Sequence, residues 1–224
     1  MPATAQFMPA SSRPARAMPL TRDAETPAVR REKSGTAFFV DGAGHLLTAR
    51  HVVEDCARIV IVKEGRAAHG RVIALSPRFD LAVIVMPRTL GLAAVFPRST
   101  RPSANEMLFA SAYDTLPAMV GRGGVIANAM ALPASEAGYL AIDSPVTFGA
   151  SGAPVLNSRG LVEGVVSRRI SSGRVLAVDS VEAKAFLRAN GVRIEEDDRP
   201  QISGSASRAN RAASISARVV CQLS

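Results

Sequence analysis

The sequence is poor in aromatic residues, since Phe, Tyr and Trp together make up 4% of its 224 residues and Trp is absent. Hydrophobic residues still make up 47% of the chain, so a sizeable core must be built from Ala, Val, Leu and Ile. No apolar run is long enough to span a membrane, which argues against a protein that crosses the bilayer with helices. Residues 1–33 also lack the apolar core of a signal peptide, so this segment does not predict export.

Cysteine is scarce as well, because only Cys56 and Cys221 are present. Two cysteines are too few for a small domain held together by disulfides, and they do not have the spacing of a metal site. Two interpretations remain open at this point. They are either two unrelated buried thiols or one disulfide that closes almost the whole chain, and the disulfide would require an oxidising compartment.

Acidic residues are outnumbered, with 19 Asp and Glu against 27 Lys and Arg, which gives a formal net charge of +8. A basic protein is a candidate for nucleic-acid binding. The basic residues here are mostly scattered arginines, and they are not clustered with aromatic residues on one face. We therefore expect no nucleic-acid partner.

Long helical patterns are also rare, and short apolar segments separated by turn signals dominate the chain. Residues 35–40 and 45–48, for example, flank a Gly-rich turn and predict a hairpin. Many short strands at close spacing are typical of an all-β sandwich or a pair of barrels. The predicted units are a disordered arm at 1–33, an N-terminal barrel at 34–96, a Pro- and Arg-rich connector at 97–104 and a C-terminal barrel at 105–179.

The hydrophobic period changes after residue 179 and predicts a helix over 180–191. Ser180 is a suitable N-cap residue, and Asn190-Gly191 is a typical end of a helix. Residues 192–224 are predicted to be a tail with a possible terminal strand.

Two segments of the first half carry side chains with acid–base chemistry. His51 lies in the sequence TARHVV, where a strand runs directly into a short helical turn. Asp80 lies in FDLAVI, in a loop at the start of a continuous apolar strand. That strand is predicted to be buried, so it can hold the Asp80 carboxylate within reach of His51.

A serine in the second half completes the set. Ser151 lies in FGASGAPV, where small residues allow a tight turn that points backbone N–H groups inward. A serine hydroxyl needs an adjacent base to become a nucleophile, and it needs N–H donors for the oxyanion that it creates. Each motif alone is weak, but together, in the order His, Asp, Ser, they predict a catalytic triad of the chymotrypsin-like order.

These motifs resemble those of bacterial trypsin-like peptidases related to the Do-like, or high-temperature-requirement, proteases. SGTAFFVDGAGHLLTARHVV is similar to the opening barrel of that family, and DLAVIVM to its Asp-Leu-Ala strand. GASGAPVLNSRGLVEGVVS resembles the serine loop with the following hairpin, and AVDSVEAKAFLRANGV the strand and helix after it. The resemblance covers about residues 34–192, and more loosely the chain up to Cys221, and we expect no PDZ domain.

The resemblance implies two six-stranded antiparallel β-barrels of the chymotrypsin-like fold, a C-terminal helix and an active site in the cleft between the barrels. It implies a serine endopeptidase that acts on protein or peptide substrates without metal or cofactor. It also favours a Cys56–Cys221 disulfide and a periplasmic or secreted location. The catalytic residues would be His51, Asp80 and Ser151, and the backbone N–H groups of Gly149 and Ser151 would bind the oxyanion. The sequence does not predict an oligomeric state.

Three residues depart from the family pattern. Ala150 replaces the usual polar residue before the serine, Ala153 replaces a common glycine, and Arg50 is bulkier than the usual residue before the histidine. None of these changes removes a catalytic group. They keep open the alternative of a weak or catalytically silent module that binds peptides or protein partners in the same cleft.

The primary specificity pocket is expected to be formed by the segment before the serine and the strand after it. The candidate residues are Val146, Thr147, Phe148, Val165, Val166 and Ser167. None of them is acidic, so a preference for Lys or Arg lacks its counter-charge and a small or medium apolar side chain is favoured. Asp143 is a possible counter-charge, but the family pattern favours a structural role for it.

Overall fold

The computed structural model describes residues 32–98, 102, 105–121, 129–132, 134, 136–143, 148–171, 173–202 and 206–223. The strands of the first half are β1 Glu32–Phe39, β2 His45–Thr48, β3 Cys56–Lys63, β4 Arg66–Leu75, β5 Ala82–Val85 and β6 Val95–Phe96. Those of the second half are β7 Met107–Leu108, β8 Ala129–Leu132, β9 Tyr139–Asp143, β10 Pro154–Leu156, β11 Val162–Ser171, β12 Arg174–Asp179, β13 Glu195–Glu196 and β14 Ser216–Leu223.

The helices of the described residues are short. They are α1 Arg50–Val53, α2 Leu116–Gly121, α3 Ser180–Ala189 and α4 Arg208–Ile215, and a 3-10 turn at Tyr113–Thr115 precedes α2. No helix in this part of the chain has the length and apolar character needed to cross a membrane.

The first barrel is closed by six strands in the order β1-β14-β3-β4-β5-β2, and neighbouring strands are antiparallel. Phe39, Ile61 and Ile84 fill its interior. The adjacent Phe38 points to the opposite side of β1, into the core between the barrels, as strand alternation requires. The prediction that residues 34–96 form this barrel omitted its last strand, because β14 lies between β1 and β3.

The second barrel contains six strands in the order β10-β11-β12-β9-β8-β7. Its two edges meet where Phe109, just after β7, pairs with Leu156 of β10. Each of these two residues donates its N–H to the carbonyl oxygen of the other at 2.7 Å, which nearly closes the barrel. The predicted fold, two six-stranded antiparallel barrels with a C-terminal helix, is therefore confirmed.

A shared apolar core holds the two barrels together. Leu81 and Val83 contribute from the first barrel and Val165 and Val178 from the second, and all four are fully buried. Leu187 of α3 packs into the same core. The loops at the adjoining edges of the barrels are therefore fixed relative to each other.

The helix predicted over 180–191 is present as α3, but its cap differs from the prediction. The side chain of Asp179 accepts a hydrogen bond from the N–H of Glu182, so Asp179 is the N-cap and Ser180 is the first helical residue. Asp and Ser are both strong N-cap residues. The choice between them depends on where β12 ends, which the sequence pattern defines only to within a residue or two.

A disulfide joins Cys56 and Cys221, whose Cα atoms are 5.3 Å apart. Cys56 is the first residue of β3, shortly after α1, and Cys221 is a fully buried residue of β14. The pairing that the family resemblance favours is therefore present. The bond ties the start of β3 to β14, near the end of the described chain, within the first barrel.

Replacing both cysteines by serine is expected to lower the free energy of unfolding by about 2–5 kcal/mol. The bond spans 165 residues, so its loss frees a long loop in the unfolded chain. Urea unfolding of both proteins under non-reducing conditions measures the difference. A reducing agent should destabilise the wild type and leave the double variant unchanged; equal midpoints for the two oxidised proteins would contradict this expectation.

A buried carboxyl group lies at the start of β11. Glu163 is 2% exposed, and its Oε1 accepts a hydrogen bond of 2.7 Å from the side-chain amide of Asn157. Burial raises the pKa of Glu163 to about 7 against this hydrogen bond, which acts to lower it. At a pH between the ordinary pKa of Glu and about 7, Glu163 is therefore protonated in the folded chain and ionised in the unfolded chain.

The Glu163→Gln variant is expected to lose this pH dependence of stability. In the wild type the free energy of unfolding falls by about 1–3 kcal/mol as the pH rises from the ordinary Glu range through about 7. Gln cannot ionise and keeps an oxygen for Asn157, so the variant should be the more stable protein at pH 8. Urea unfolding at pH 5 and pH 8 measures this, with the exposed Glu64→Gln as control; a wild-type pH profile in Glu163→Gln would refute it.

Candidate active site

The three predicted catalytic residues come from three different segments. His51 lies in α1, directly after β2, and Asp80 lies in the loop before β5, so both belong to the first barrel. Ser151 lies in the turn before β10 of the second barrel. Because the shared core fixes the barrels, these segments meet in the cleft between them.

His51 and Asp80 are joined by two hydrogen bonds. Nδ1 of the His51 ring lies 2.8 Å from Oδ2 of Asp80, and the backbone N–H of His51 donates to Oδ1 at 3.0 Å. The carboxylate therefore fixes the orientation of the ring, and it favours the tautomer with the proton on Nδ1. In that tautomer Nε2 is left with a lone pair that can accept a proton.

Ser167 of β11 gives Asp80 a third hydrogen bond. Its hydroxyl donates to Oδ2 at 2.6 Å. Burial alone would raise the pKa of Asp80, but the hydrogen bonds from His51 and Ser167 outweigh it and hold the pKa below its usual range. Asp80 is therefore a carboxylate throughout the neutral pH range. The sequence patterns predicted Ser167 only as a substrate-binding residue and missed this contact.

The Ser151 hydroxyl lies beside the same strand. It donates to the backbone carbonyl oxygen of Ser167 at 3.4 Å. Among the described residues this carbonyl, rather than the ring of His51, is its hydrogen-bond partner. The structure thus joins His51 to Asp80 directly, and it brings Ser151 to the cavity that His51 also lines.

The turn around Ser151 depends on two glycines with left-handed backbone conformations. Gly149 has φ of +85° and Gly152 has φ of +83°. A Cβ atom on Gly152 would lie 2.1 Å from the carbonyl oxygen of Thr36, so no other residue fits there. The small residues of this segment predicted a tight turn, and the backbone at Gly149 and Gly152 has that conformation.

The residues that depart from the family pattern are accommodated without crowding the site. Ala150 and Ala153 are both buried and pack in the core of the second barrel. The guanidinium of Arg50 donates to Glu54 at 2.6 Å and to the carbonyl oxygen of Ser76 at 2.9 Å. Both partners belong to the first barrel, so these hydrogen bonds fix the Arg50 side chain there.

A cavity of about 400 Å³ opens beside Ser151. Its lining consists of His51, Phe148, Gly149, Ala150, Ser151, Val166, Ser167, Arg168, Arg169 and Val175. The predicted pocket residues Phe148, Val166 and Ser167 are among them, whereas Val146 and Thr147 lie outside the described residues. Val165 does not line this cavity, because its side chain lies in the core between the barrels.

Two arginines of β11 stand at the mouth of this cavity, and the sequence patterns did not identify them. Arg169 lies 5.7 Å from the ring centre of Phe148, whose side chain is 96% exposed. Arg168 pairs with Glu136 at 2.8 Å and lies over the ring of Tyr139. Such contacts depend on strand pairing and side-chain direction, which the doublet Arg168-Arg169 does not reveal by itself.

No group of three or more His, Cys, Asp and Glu side chains in the described part of the chain is arranged to hold a metal ion. The expectation that no metal or cofactor takes part stays a prediction.

Two six-stranded barrels with His, Asp and Ser side chains in the cleft between them define the chymotrypsin-like class of fold. A family model described as "Trypsin-like peptidase domain" matches residues 35–165, which is more than half of the chain. The chain therefore belongs to the trypsin-like peptidase family.

Its curated relatives include serine proteases of the high-temperature-requirement group. It is 30% identical to human "Serine protease HTRA4" over 165 residues, which cover 69% of this chain and 34% of that protein. It is 29% identical to the "Probable periplasmic serine endoprotease DegP-like" of Chlamydia trachomatis over 180 residues, 76% of this chain and 36% of that protein. The chain thus spans about a third of the length of these relatives.

Solved structures show the same fold. The serine endoprotease from Yersinia pestis has a TM-score of 0.60 and 19% identity, with 70% of this chain and 57% of that chain covered. The HtrA-type protease AlgW with a decapeptide has a TM-score of 0.58 and 19% identity, with 70% and 51% covered. At this level of identity the likeness supports the fold alone.

Proposed function

We propose that the chain is a serine endopeptidase that hydrolyses peptide bonds through His51, Asp80 and Ser151. The observation that carries the proposal is the pair of hydrogen bonds by which Asp80 orients His51, next to a cavity that His51 and Ser151 both line. Serine proteases among the relatives support the same class of chemistry.

In the proposed reaction, Nε2 of His51 takes the proton of the Ser151 hydroxyl as Oγ attacks the carbonyl carbon of the peptide bond. The half-buried carboxylate of Asp80 stabilises the imidazolium that forms. The backbone N–H groups of Gly149 and Ser151 bind the oxyanion of the tetrahedral intermediate, each contributing about 3–4 kcal/mol. His51 then gives its proton to the leaving amine, and water releases the acyl group from Ser151.

The substrate is proposed to lie along the edge of β11. On one side β11 pairs with β12 through Arg169 and Val175, among others. On the other side, the backbone of Val166 forms hydrogen bonds with the serine turn: its carbonyl oxygen accepts from the N–H of Gly152, and its N–H donates to the carbonyl oxygen of Ala153. Beyond Val166 no described strand pairs with this edge of β11, and we propose that an extended peptide adds there as an antiparallel strand.

The cavity predicts a preference for apolar side chains at the residue whose carbonyl is attacked. Ala150, Val166 and Val175 give it apolar walls, and Arg169 adds a positive charge to its lining, whereas the charge of Arg168 is paired with Glu136. A Lys side chain would meet like charge without a carboxylate among the described lining residues. We expect kcat/KM for a valine peptide to exceed that for the matched lysine peptide by at least about tenfold.

Paired fluorogenic peptides that differ only at that residue measure this preference. The Arg169→Gln variant should reduce the ratio of kcat/KM between the valine and the lysine peptide, because it removes a positive charge from the lining of the cavity. Faster cleavage of the lysine peptide by the wild type would contradict the assignment of the cavity as an apolar pocket.

The proposed function is tested by the kinetics of an activated ester of a blocked valine. An acyl-enzyme that forms faster than it hydrolyses gives a burst of the leaving group, with an amplitude equal to the concentration of active chains. The wild type should show this burst and Ser151→Ala should not. A wild type without a burst and without steady turnover would overturn the proposal.

One observation favours a second candidate, a silent module that binds peptides in the same cleft. The Ser151 hydroxyl donates to Ser167 rather than to His51, which is the arrangement of a serine that is not being activated. This candidate predicts that peptides bind, as measured by calorimetry, and are recovered uncleaved by mass spectrometry. The endopeptidase proposal predicts cleavage in the same samples.

The compartment proposed for this activity is the periplasm or the exterior of the cell. The Cys56–Cys221 disulfide supports an oxidising compartment, and the Chlamydia trachomatis relative is named as periplasmic. Thiol trapping in fractionated cells should find the two cysteines protected in the periplasmic or secreted fraction. Free thiols in a cytosolic fraction would contradict this location.

A further inference from the structure

Thr36 of β1 makes two hydrogen bonds to the turn that carries Ser151. Its backbone N–H donates to the carbonyl oxygen of Ser151 at 2.9 Å, and its hydroxyl donates to the carbonyl oxygen of Gly149 at 2.8 Å. Thr36 is fully buried, so water does not compete for these bonds. A residue of the first barrel therefore holds the serine turn of the second.

Thr36 is itself held from two directions. Its hydroxyl accepts a hydrogen bond of 3.0 Å from the backbone N–H of Tyr113. Its carbonyl oxygen accepts one of 2.7 Å from the hydroxyl of Thr48. Since every polar group of Thr36 has a partner, the residue is fixed before any substrate arrives.

The positions of these bonds matter for the oxyanion. The oxyanion donors are the N–H groups of Gly149 and Ser151, and Thr36 binds the carbonyl groups of the same two residues. Thr36 thus holds the peptide group that follows Gly149 and the peptide group that follows Ser151. The peptide group that carries the Ser151 N–H lies between these two. The peptide group that carries the Gly149 N–H directly precedes the first of them.

The plane that carries the Ser151 N–H is also held by a hydrogen bond of 2.8 Å from the N–H of Ala153 to the carbonyl oxygen of Ala150, but Gly149 has little else to fix its orientation. A Cβ atom built on Gly149 would contact only the methyl group of Ala112, at 3.7 Å, so packing leaves Gly149 room to rotate. The side chain of Ala150 is a methyl group and cannot hydrogen-bond. The bond from the Thr36 hydroxyl is thus the polar contact that opposes rotation of the Gly149 carbonyl.

We propose that Thr36 is a positioning residue that keeps the N–H groups of Gly149 and Ser151 aimed at the oxyanion. This role rests on the proposed endopeptidase function. It explains how a turn with Ala150 stays formed without a polar side chain of its own. The hydroxyl, rather than the size of the side chain, is the group that the role requires.

The test compares Thr36→Val, which has nearly the same shape but no hydroxyl, with Thr36→Ser, which keeps the hydroxyl. We expect Thr36→Val to lower kcat for a valine peptide by about 10²-fold, with KM changed less than about threefold. Thr36→Ser should stay within about fivefold of the wild type. A peptide boronic acid, which forms a tetrahedral adduct with the serine, should bind Thr36→Val more weakly by a similar factor as the loss in kcat/KM.

A purely structural role would lower stability and leave kcat and boronate affinity unchanged in the folded Thr36→Val protein. Equal kcat in Thr36→Val and the wild type, or equal losses in Thr36→Val and Thr36→Ser, would overturn the inference. If the wild type cleaves no peptide, or cleaves it no faster than Ser151→Ala, the proposed function is overturned and the role of Thr36 with it. If the wild type is active and Thr36→Val has the same kcat, only the role of Thr36 is overturned and the proposed function stands.

A second pair of variants serves if Thr36→Val does not fold. Tyr113→Pro removes the N–H that holds the Thr36 hydroxyl, and Tyr113→Ala keeps it. Proline suits this position because it begins a 3-10 turn and the preceding Ala112 is extended. Tyr113→Pro should have a kcat several-fold below that of Tyr113→Ala, and equal values would count against the inference.

Discussion

Replacing Ser151 by alanine is expected to lower kcat/KM for peptide hydrolysis by about 10⁵–10⁶-fold, with the fold and the thermal transition unchanged. The variant keeps the backbone N–H groups of the turn and the cavity, but it has no nucleophile to form the acyl-enzyme. The residual rate would come from oxyanion stabilisation and substrate binding alone. Initial rates with a fluorogenic valine peptide measure the loss.

Ser158→Ala is the matched control for this prediction. Ser158 is an exposed residue of the turn between β10 and β11, close in sequence to Ser151 but away from the cavity. Its replacement should leave kcat/KM within about twofold of the wild type. Comparable activity of Ser151→Ala and the wild type would show that another group performs the chemistry.

Asp80→Asn is expected to lower kcat by about 10⁴-fold at neutral pH, with a small change in KM. The carboxylate accepts hydrogen bonds from the backbone N–H and Nδ1 of His51 and from the hydroxyl of Ser167. An amide nitrogen in place of one carboxylate oxygen turns one of these acceptors into a donor. A donor next to Nδ1 favours the tautomer with the proton on Nε2, which cannot take the proton of Ser151.

Asp55→Asn is a suitable control for the loss of one negative charge near α1. Asp55 is exposed and has φ of +65°, a conformation that Asn adopts readily, so its fold is preserved. Its kcat should match that of the wild type. If Asp80→Asn retained more than about a tenth of the wild-type kcat, the proposed role of Asp80 in orienting His51 would be wrong.

The sequence was informative where chemistry lies in a short continuous motif. His51, Asp80 and Ser151 each stand at the end of a strand or in a turn that the hydrophobic pattern locates. Their order then predicts that the chain brings them to one cleft, and the structure places His51 against Asp80 and beside the cavity of Ser151. The small residues of the serine turn predict its tight backbone, which Gly152 requires.

The sequence was less informative where pairing over a long distance decides the outcome. Residues 216–223 have the pattern of a strand, but the pattern does not show that the strand closes the first barrel beside β1. The position of the Val165 side chain in the core, and not in the cavity, was hard to predict for a related reason. One residue of shift along β11 exchanges the cavity face for the core face, and the exact alternation depends on an irregularity near Val166.

Thr36 illustrates a third limit. In the sequence it is one β-branched residue of a strand, 115 positions before Ser151, and strand propensity explains it fully. Its contacts with the serine turn arise only when the two barrels pack. No local signal could have separated Thr36 from the neighbouring residues of β1.

The central claim, that Ser151 is a nucleophile activated by His51, is tested most directly with a fluorophosphonate probe. This reagent forms a covalent bond with an activated serine oxygen, and peptide mass mapping locates the bond. We predict stoichiometric labelling of the wild type on Ser151, no labelling of Ser151→Ala, and labelling of His51→Ala that is slower by several orders of magnitude. Absent labelling of the wild type, or equal labelling of the wild type and Ser151→Ala, would contradict the claim.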